Sequence, residues 1–317
     1  MADGETTTSL WEEIVDALNA VNGSHAGHRA VHAKGMVCEG TFAASPEAAR
    51  LSRAAHLQGD EVRAIVRFSN ASGNPRTSDA NPIAGRGIGV KLHLPDGEAV
   101  DMGAVPLPVF MVSTPEDFLE FTRARIPDPD TGEADPQKLI EFVTAHPETA
   151  TALQLGLPKL APTTSFATSA YNGLHAFGLV SADGETTWGR YSWVPVAGER
   201  YLSDEERGAA DRDYLRQELG ERLASGTAEF DLVFTLAAEG DTLTDPTRPW
   251  EGEREQVVLG RLAVTGVVDE ADAAGGGPLV FDPNNLTDGI VASDDPILAA
   301  RSPAYSVSID RRMASGG

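Results

Sequence analysis

Seven short runs in this 317-residue chain are rich in β-branched and aromatic residues and are divided by turn residues. They are 61–69 (EVRAIVRFS), 87–94 (GIGVKLHL), 107–112 (LPVFMV), 174–180, 186–193, 229–236 and 256–267, with Asp96-Gly97 and Asp183-Gly184 among the breaks. In an extended chain, alternate side chains point to opposite faces, so each run has an apolar face to hide. Seven such runs hide their faces most simply against one another, in an antiparallel barrel or sandwich.

Helices interrupt the strand pattern. Ser9 with Glu12 three residues on is a capping-box pair, and Leu10, Ile14, Ala17, Leu18 and Val21 follow as one apolar stripe. Thr114-Pro115-Glu116-Asp117 reads as a cap followed by proline in the first turn. Ser203-Asp204-Glu205-Glu206 starts a helix expected to run on through LRQELGERLA, and 137–158 is expected to be helical. The fold class predicted is α+β, a strand barrel with peripheral helices, in one domain over 1–317.

Charge narrows the partners. Lysine and arginine total 25 against 48 aspartates and glutamates, a net charge of −23, which repels phosphate backbones and anionic membranes. Apolar residues make up 41%, enough for a core rather than a disordered chain. Cys38 is the only cysteine, so neither an internal disulfide nor a cysteine-based zinc site is expected. Without a basic start, an apolar leader or a run of about 18 apolar residues, a soluble cytoplasmic protein is expected, with no nucleic-acid or membrane partner.

Three clusters carry candidate chemistry. Arg301, Tyr305 and Arg312 have helical spacing that sets them on one stripe. A guanidinium one turn from a phenol favours its charged form, a hard donor suited to ferric iron. The same spacing also serves an ordinary Arg–Tyr stacking pair. In Arg29-Ala30-Val31-His32-Ala33-Lys34-Gly35, the histidine sits between small apolar residues close to an arginine. It suits an acid–base group as well as a core histidine. Arg67 and Ser69 share one face of a strand, where Arg67 suits a carboxylate partner and Ser69 could orient an imidazole.

The ordered strings VHAKG, VRFS, Arg86-Gly87-Ile88-Gly89-Val90-Lys91, Pro108-Val109-Phe110, FDPNNLTDGI and R-x-x-x-Y resemble the haem catalase superfamily, from about His28 to Arg312. Softer matches are His146-Pro147-Glu148, Asn172-Gly173-Leu174-His175 and Asp245-Pro246-Thr247-Arg248-Pro249-Trp250. The resemblance implies a closed antiparallel barrel of about eight strands with a haem-ligating C-terminal helix at 300–313 and a helical extension at 1–25. It implies haem b with Tyr305 as the iron ligand, Arg301 keeping it ionised, and His32 opposite, oriented by Ser69. Arg29, Arg67 and Arg312 would grip the propionates. Val31, Phe110 and Phe118 would line the pocket. His175 and Asp295 would extend a hydrogen-bond network behind Arg301, with Asp294 as an adjacent alternative to Asp295.

Two departures shape the expected activity. Catalases carry a distal asparagine where this chain has Val105, which cannot hydrogen-bond a peroxide. The chain also ends soon after Arg312, without the wrapping segments and C-terminal helices of full catalases. Both features resemble the small catalase-related peroxidases. A more open pocket is expected, with a homodimer or monomer rather than a tetramer. The implied reaction is reduction of hydrogen peroxide or organic hydroperoxides by organic electron donors, with weak or no catalase activity. A true catalase, a hydroperoxide lyase or isomerase of the allene oxide type, a haem carrier and a cofactor-free barrel are the alternatives.

Overall fold

The computed structural model describes residues 8–315, so the first seven positions of the expected 1–25 extension lie outside the described residues. Ten strands form one sheet. They are β1 (Gly35–Ala44), β2 (Val62–Asn70), β3 (Arg86–His93), β4 (Ala99–Ala104), β5 (Tyr171–Asn172), β6 (Phe177–Val180), β7 (Thr186–Pro195), β8 (Ala228–Leu236), β9 (Gln256–Val267) and β10 (Ile290–Ala292). Their order is β10-β6-β7-β8-β9-β1-β2-β3-β4, with β5 added on β7, and every pairing is antiparallel. Val105, just after β4, and Asn172 in β5 exchange backbone hydrogen bonds of 3.1 and 2.6 Å. That bridge joins the β4 end of the path to β5 on β7, so the sheet curls round its core.

The helices are α1 (Leu10–Asn22), α2 (Ala48–Leu51), α3 (Pro115–Arg123), α4 (Pro136–Ala145), α5 (Pro147–Gly156), α6 (Asp204–Ala209), α7 (Tyr214–Ser225), α8 (Glu270–Ala274) and α9 (Pro296–Ser315). Ser9 and Glu12 cap α1 reciprocally, and Thr114 caps α3 with Pro115 in the first turn. The helix expected from Ser203 is two helices, because Ala210 leaves the first in extended conformation. None of the described helices is long and apolar enough to cross a membrane.

The core fills the curl. Phe42, Phe68, Tyr171, Trp193, Phe230 and Phe234 are all buried, and Phe68 stacks on Phe166 with ring centroids 5.4 Å apart. Burying each side chain of this size contributes roughly 1.5–3 kcal/mol.

Two strand expectations need correction. Residues 107–112 form no strand. Pro106 and Pro108 lack the N–H that a ladder needs, and the pairing strand lies earlier, in Ala99–Ala104. The sheet also has ten strands rather than about eight, two of the extra pieces being the short β5 and β10.

Helix α9 runs against α1. Asp16 pairs with Arg311 at 2.5 Å, and the Ser315 hydroxyl accepts the Gly27 N–H at 3.2 Å. The Asp295 carboxylate accepts the N–H groups of Ile297 and Leu298, at 2.8 and 3.3 Å, and so caps α9.

Candidate active site

His32 lies in the loop between α1 and β1 with φ at +56°, in the left-handed region that non-glycine residues avoid. Arg67 on β2 donates from Nη2 to the His32 carbonyl at 3.0 Å and helps hold that turn. The imidazole Nδ1 lies 2.9 Å from Ser69 Oγ. The Gly87 carbonyl, 3.5 Å from Ser69 Oγ, offers the hydroxyl an acceptor. Ser69 can then accept a proton bond from His32 Nδ1–H, which leaves the Nε2 lone pair free. Burial, followed by the positive charges of Arg67, Arg301 and Arg29, pushes the His32 pKa down to about 3. At neutral pH its ring is a base, not an acid.

Two glycines make this arrangement possible. A Cβ on Gly87 would lie 2.6 Å from His32 Cε1 and 2.8 Å from Nδ1. A Cβ on Gly35 would lie 2.5 Å from Arg67 Nη2. Gly35, Ser69 and Gly87 stand side by side across β1, β2 and β3, so the register stacks the small residues beneath the ring.

The tyrosine comes from the other end of the chain. On α9, Arg301 donates to Tyr305 Oη from Nε at 3.0 Å and from Nη2 at 2.5 Å. Arg301 Nη1 lies 3.3 Å from His175 Nε2, and His175 Nδ1 lies 2.6 Å from Asp295. One tautomer satisfies the whole line: His175 donates from Nδ1 to the carboxylate and accepts at Nε2 from Arg301. Burial lowers the His175 pKa despite the hydrogen bond to Asp295 that opposes it. Burial works against the Arg301 charge as well, but the charge and hydrogen bond of Tyr305 outweigh it and raise the Arg301 pKa. Asp295 is 1% exposed whereas Asp294 is exposed, so Asp295 holds the imidazole. Leu174, just before His175, also has a positive φ of +61°. His32 and Leu174 are the non-glycine residues with positive φ among the described residues. Strained backbone of this kind persists only where its surroundings over-determine it.

Arg29, Arg67 and Arg312 converge from the loop before β1, from β2 and from α9. Arg67 is 6% exposed, and its Nε has no hydrogen-bond partner. Burial and then the charge of Arg29 push the Arg67 pKa down to about 9. Burial and Arg29 also lower Arg312. Glu270 is the carboxylate beside them, 2.7 Å from Arg29 and 3.7 Å from Arg67. Three arginines with one carboxylate leave a net charge of 3 − 1 = +2. That surplus and the orphaned Arg67 Nε suit a ligand bearing two carboxylates. The Tyr305 oxygen, accepting two charge-assisted hydrogen bonds, suits a hard metal. Together the residues fit a haem. No group of three histidine, cysteine or acidic side chains able to hold a bare metal ion occurs among the described residues.

Val31 is partly exposed beside His32. Phe110 and Phe118 stack with centroids 5.7 Å apart, in an apolar cluster with Val112, Phe121, Phe142 and Ile297. Ile297 ties that cluster to the first turn of α9. Val105 is locked to Asn172 through its backbone. The Asn172 side chain is engaged with the Pro106 and Leu107 carbonyls and with Ser192, so it supplies no spare amide. Sequence reasoning missed Gly35, Gly87 and Glu270 as parts of the site. A glycine inside a strand signals close approach and could have pointed to the first two. Glu270 is one of 48 acids and carries no local signal.

The chain matches the family model described as Catalase over residues 4–316. It is 40% identical over 301 residues to a catalase-related peroxidase of Mycolicibacterium paratuberculosis, covering 95% of this chain and 94% of the relative. It is 36% identical over 303 residues to a catalase-related peroxidase of Synechococcus elongatus, covering 95% and 88%. Among solved structures, a fungal catalase superposes with a TM-score of 0.77 at 20% identity, over 96% of this chain and 66% of the fungal one.

Proposed function

The chain belongs to the catalase family, and from that premise we propose that it is a haem b peroxidase that reduces hydrogen peroxide or organic hydroperoxides with electrons from organic donors. The observation that carries this reading is a His32 ring fixed by Ser69 and held neutral in part by the charge of Arg301, the same guanidinium that donates to the Tyr305 oxygen. Tyr305 would ligate the iron, and Arg29, Arg67 and Arg312 would hold the propionates. When bound, the haem would supply a Lewis-acidic, redox-active iron centre for the two-electron chemistry of the peroxide.

The protein's own part is proton management and charge placement. His32 Nε2, left free by the bond from Nδ1 to Ser69, takes the proton from one peroxide oxygen and returns it to the other, which departs as water or alcohol. Ser69 and Gly87 keep the ring in place for both transfers. Arg301 holds the Tyr305 oxygen electron-rich, with His175 and Asp295 fixing the guanidinium behind it. Val105 brings no hydrogen-bonding group to the distal side. A valine side chain cannot orient a second peroxide as reductant, which favours organic donors over oxygen evolution.

The test is a comparison of turnover. Hydrogen peroxide alone should be consumed slowly, and addition of an oxidisable dye should accelerate consumption with either hydrogen peroxide or an alkyl hydroperoxide. Rapid oxygen release without a donor would instead make the protein a true catalase. An epoxide-derived ketol from a fatty-acid hydroperoxide, in place of the alcohol, would point to an isomerase.

A further inference from the structure

Glu270 occupies a position that the mechanism above does not use. It stands in the first turn of α8, and the loop that follows runs through Gly275, Gly276 and Gly277 to Leu279. Arg29 grips both ends of this segment. Its Nη1 and Nη2 donate to the two carboxylate oxygens of Glu270 at 3.3 and 2.7 Å, and Nη2 also donates to the Leu279 carbonyl at 2.9 Å. Val268, Ala273, Ala274 and Phe281 pack against Val37, Ile65 and Leu279, so the segment rests on the outer face of β1 and β2.

We propose that Glu270 is a permanent fourth member of the propionate cradle, a built-in counter-charge that trims three arginines to the charge that two propionates balance. The proposal rests on the haem reading given above. Its first support is the count: Arg29, Arg67 and Arg312 carry +3, Glu270 carries −1, and two propionates would bring the sum to zero. Its second is the donor inventory. A guanidinium has five N–H donors, and the three hydrogen bonds of Arg29 leave two for a ligand. Glu270 therefore need not leave when propionates arrive. Arg67 likewise keeps its Nε free, with Glu270 3.7 Å away, beyond hydrogen-bond reach. Burial alone would raise the Glu270 carboxyl, but Arg29, Arg67 and Arg312 outweigh it and keep it below the usual range, hence charged.

Glu270→Gln keeps the shape and removes the charge, whereas Glu270→Asp keeps the charge and shortens the reach. In the haem-loaded protein, Glu270→Gln should raise the iron midpoint potential, because removing a nearby negative charge favours the reduced state, and Glu270→Asp should stay close to wild type. In the haem-free protein, Glu270→Gln should lower Tm, since the arginines then lose their counter-charge. Equal potentials for wild type and Glu270→Gln would overturn the proposal, as would a shift of the same size in Glu270→Asp. Failure of wild type to give a Soret band with added haem would instead sink the haem reading itself, and this proposal with it.

Discussion

At Gly87 a single methyl decides whether His32 keeps its place, because the atoms it would meet are ring atoms backed by Ser69. Gly87→Ala should fold and bind haem yet lose peroxide turnover by about 10–100-fold, through displacement of the base. His32→Ala should lose roughly 10²–10⁴-fold with its Soret band retained. Unchanged turnover in either variant would remove His32 from the mechanism. The pH profile provides a separate check. With its pKa pushed down to about 3, His32 stays unprotonated throughout the range above pH 5. Stopped-flow measurement of the peroxide reaction should therefore show no acid limb between pH 5 and 8. A limb near pH 6.5 would mean an ordinary imidazole.

Helix α9 does two jobs through one residue. Asp295 caps its first turn and holds His175, so Asp295→Ala removes the cap and leaves a buried N–H without a partner. The cap is worth about 1 kcal/mol and the orphaned donor about 1–3 kcal/mol. Thermal unfolding should show a clear drop in Tm for Asp295→Ala and almost none for the exposed Asp294→Ala; equal effects would contradict the assignment. The helix and its Arg301–Tyr305 pair were legible because a 3.6-residue repeat is a local signal. So were the capped starts of α1 and α3, where a few adjacent residues carry the information. The stretch 107–112 was misread because it shares the apolar richness of a strand, while its proline-flanked backbone lies outside the ladder. Strand β1 escaped notice because its glycines and alanines hide the alternation, and its place in the sheet is set by partners 20–230 residues away.

Across the whole molecule, the site exists only because β2, β3 and the loop before β1 bring Arg67, Ser69, Gly87 and His32 together. Order along the chain says which motifs occur, but not that Glu270 would arrive beside Arg29 from 241 residues away. The family resemblance carried the rest of the site; spacing alone favoured an Arg–Tyr stacking pair and a core histidine. Buried imidazoles also shape global stability. His32 is pushed down to about 3 and His56 to about 4, both chiefly by burial, and His175 is lowered as well. In the unfolded chain these groups protonate near pH 6.5. Below that pH the unfolded state binds more protons than the fold, so stability falls as pH drops. Protonation of the acids, which relieves the −23 charge, begins lower. The apoprotein Tm should thus decline between pH 6.5 and 5, and a flat or rising Tm across that window would show that the histidines are not held neutral.

Iron coordination by Tyr305 is best tested by the absorbance spectrum of protein reconstituted with one equivalent of haem, wild type against Tyr305→His. Wild type should take up haem in a ferric form whose bands change markedly in the variant, as the iron exchanges an anionic oxygen for a neutral nitrogen. Identical spectra from the two proteins would place the iron on some other ligand and contradict the account.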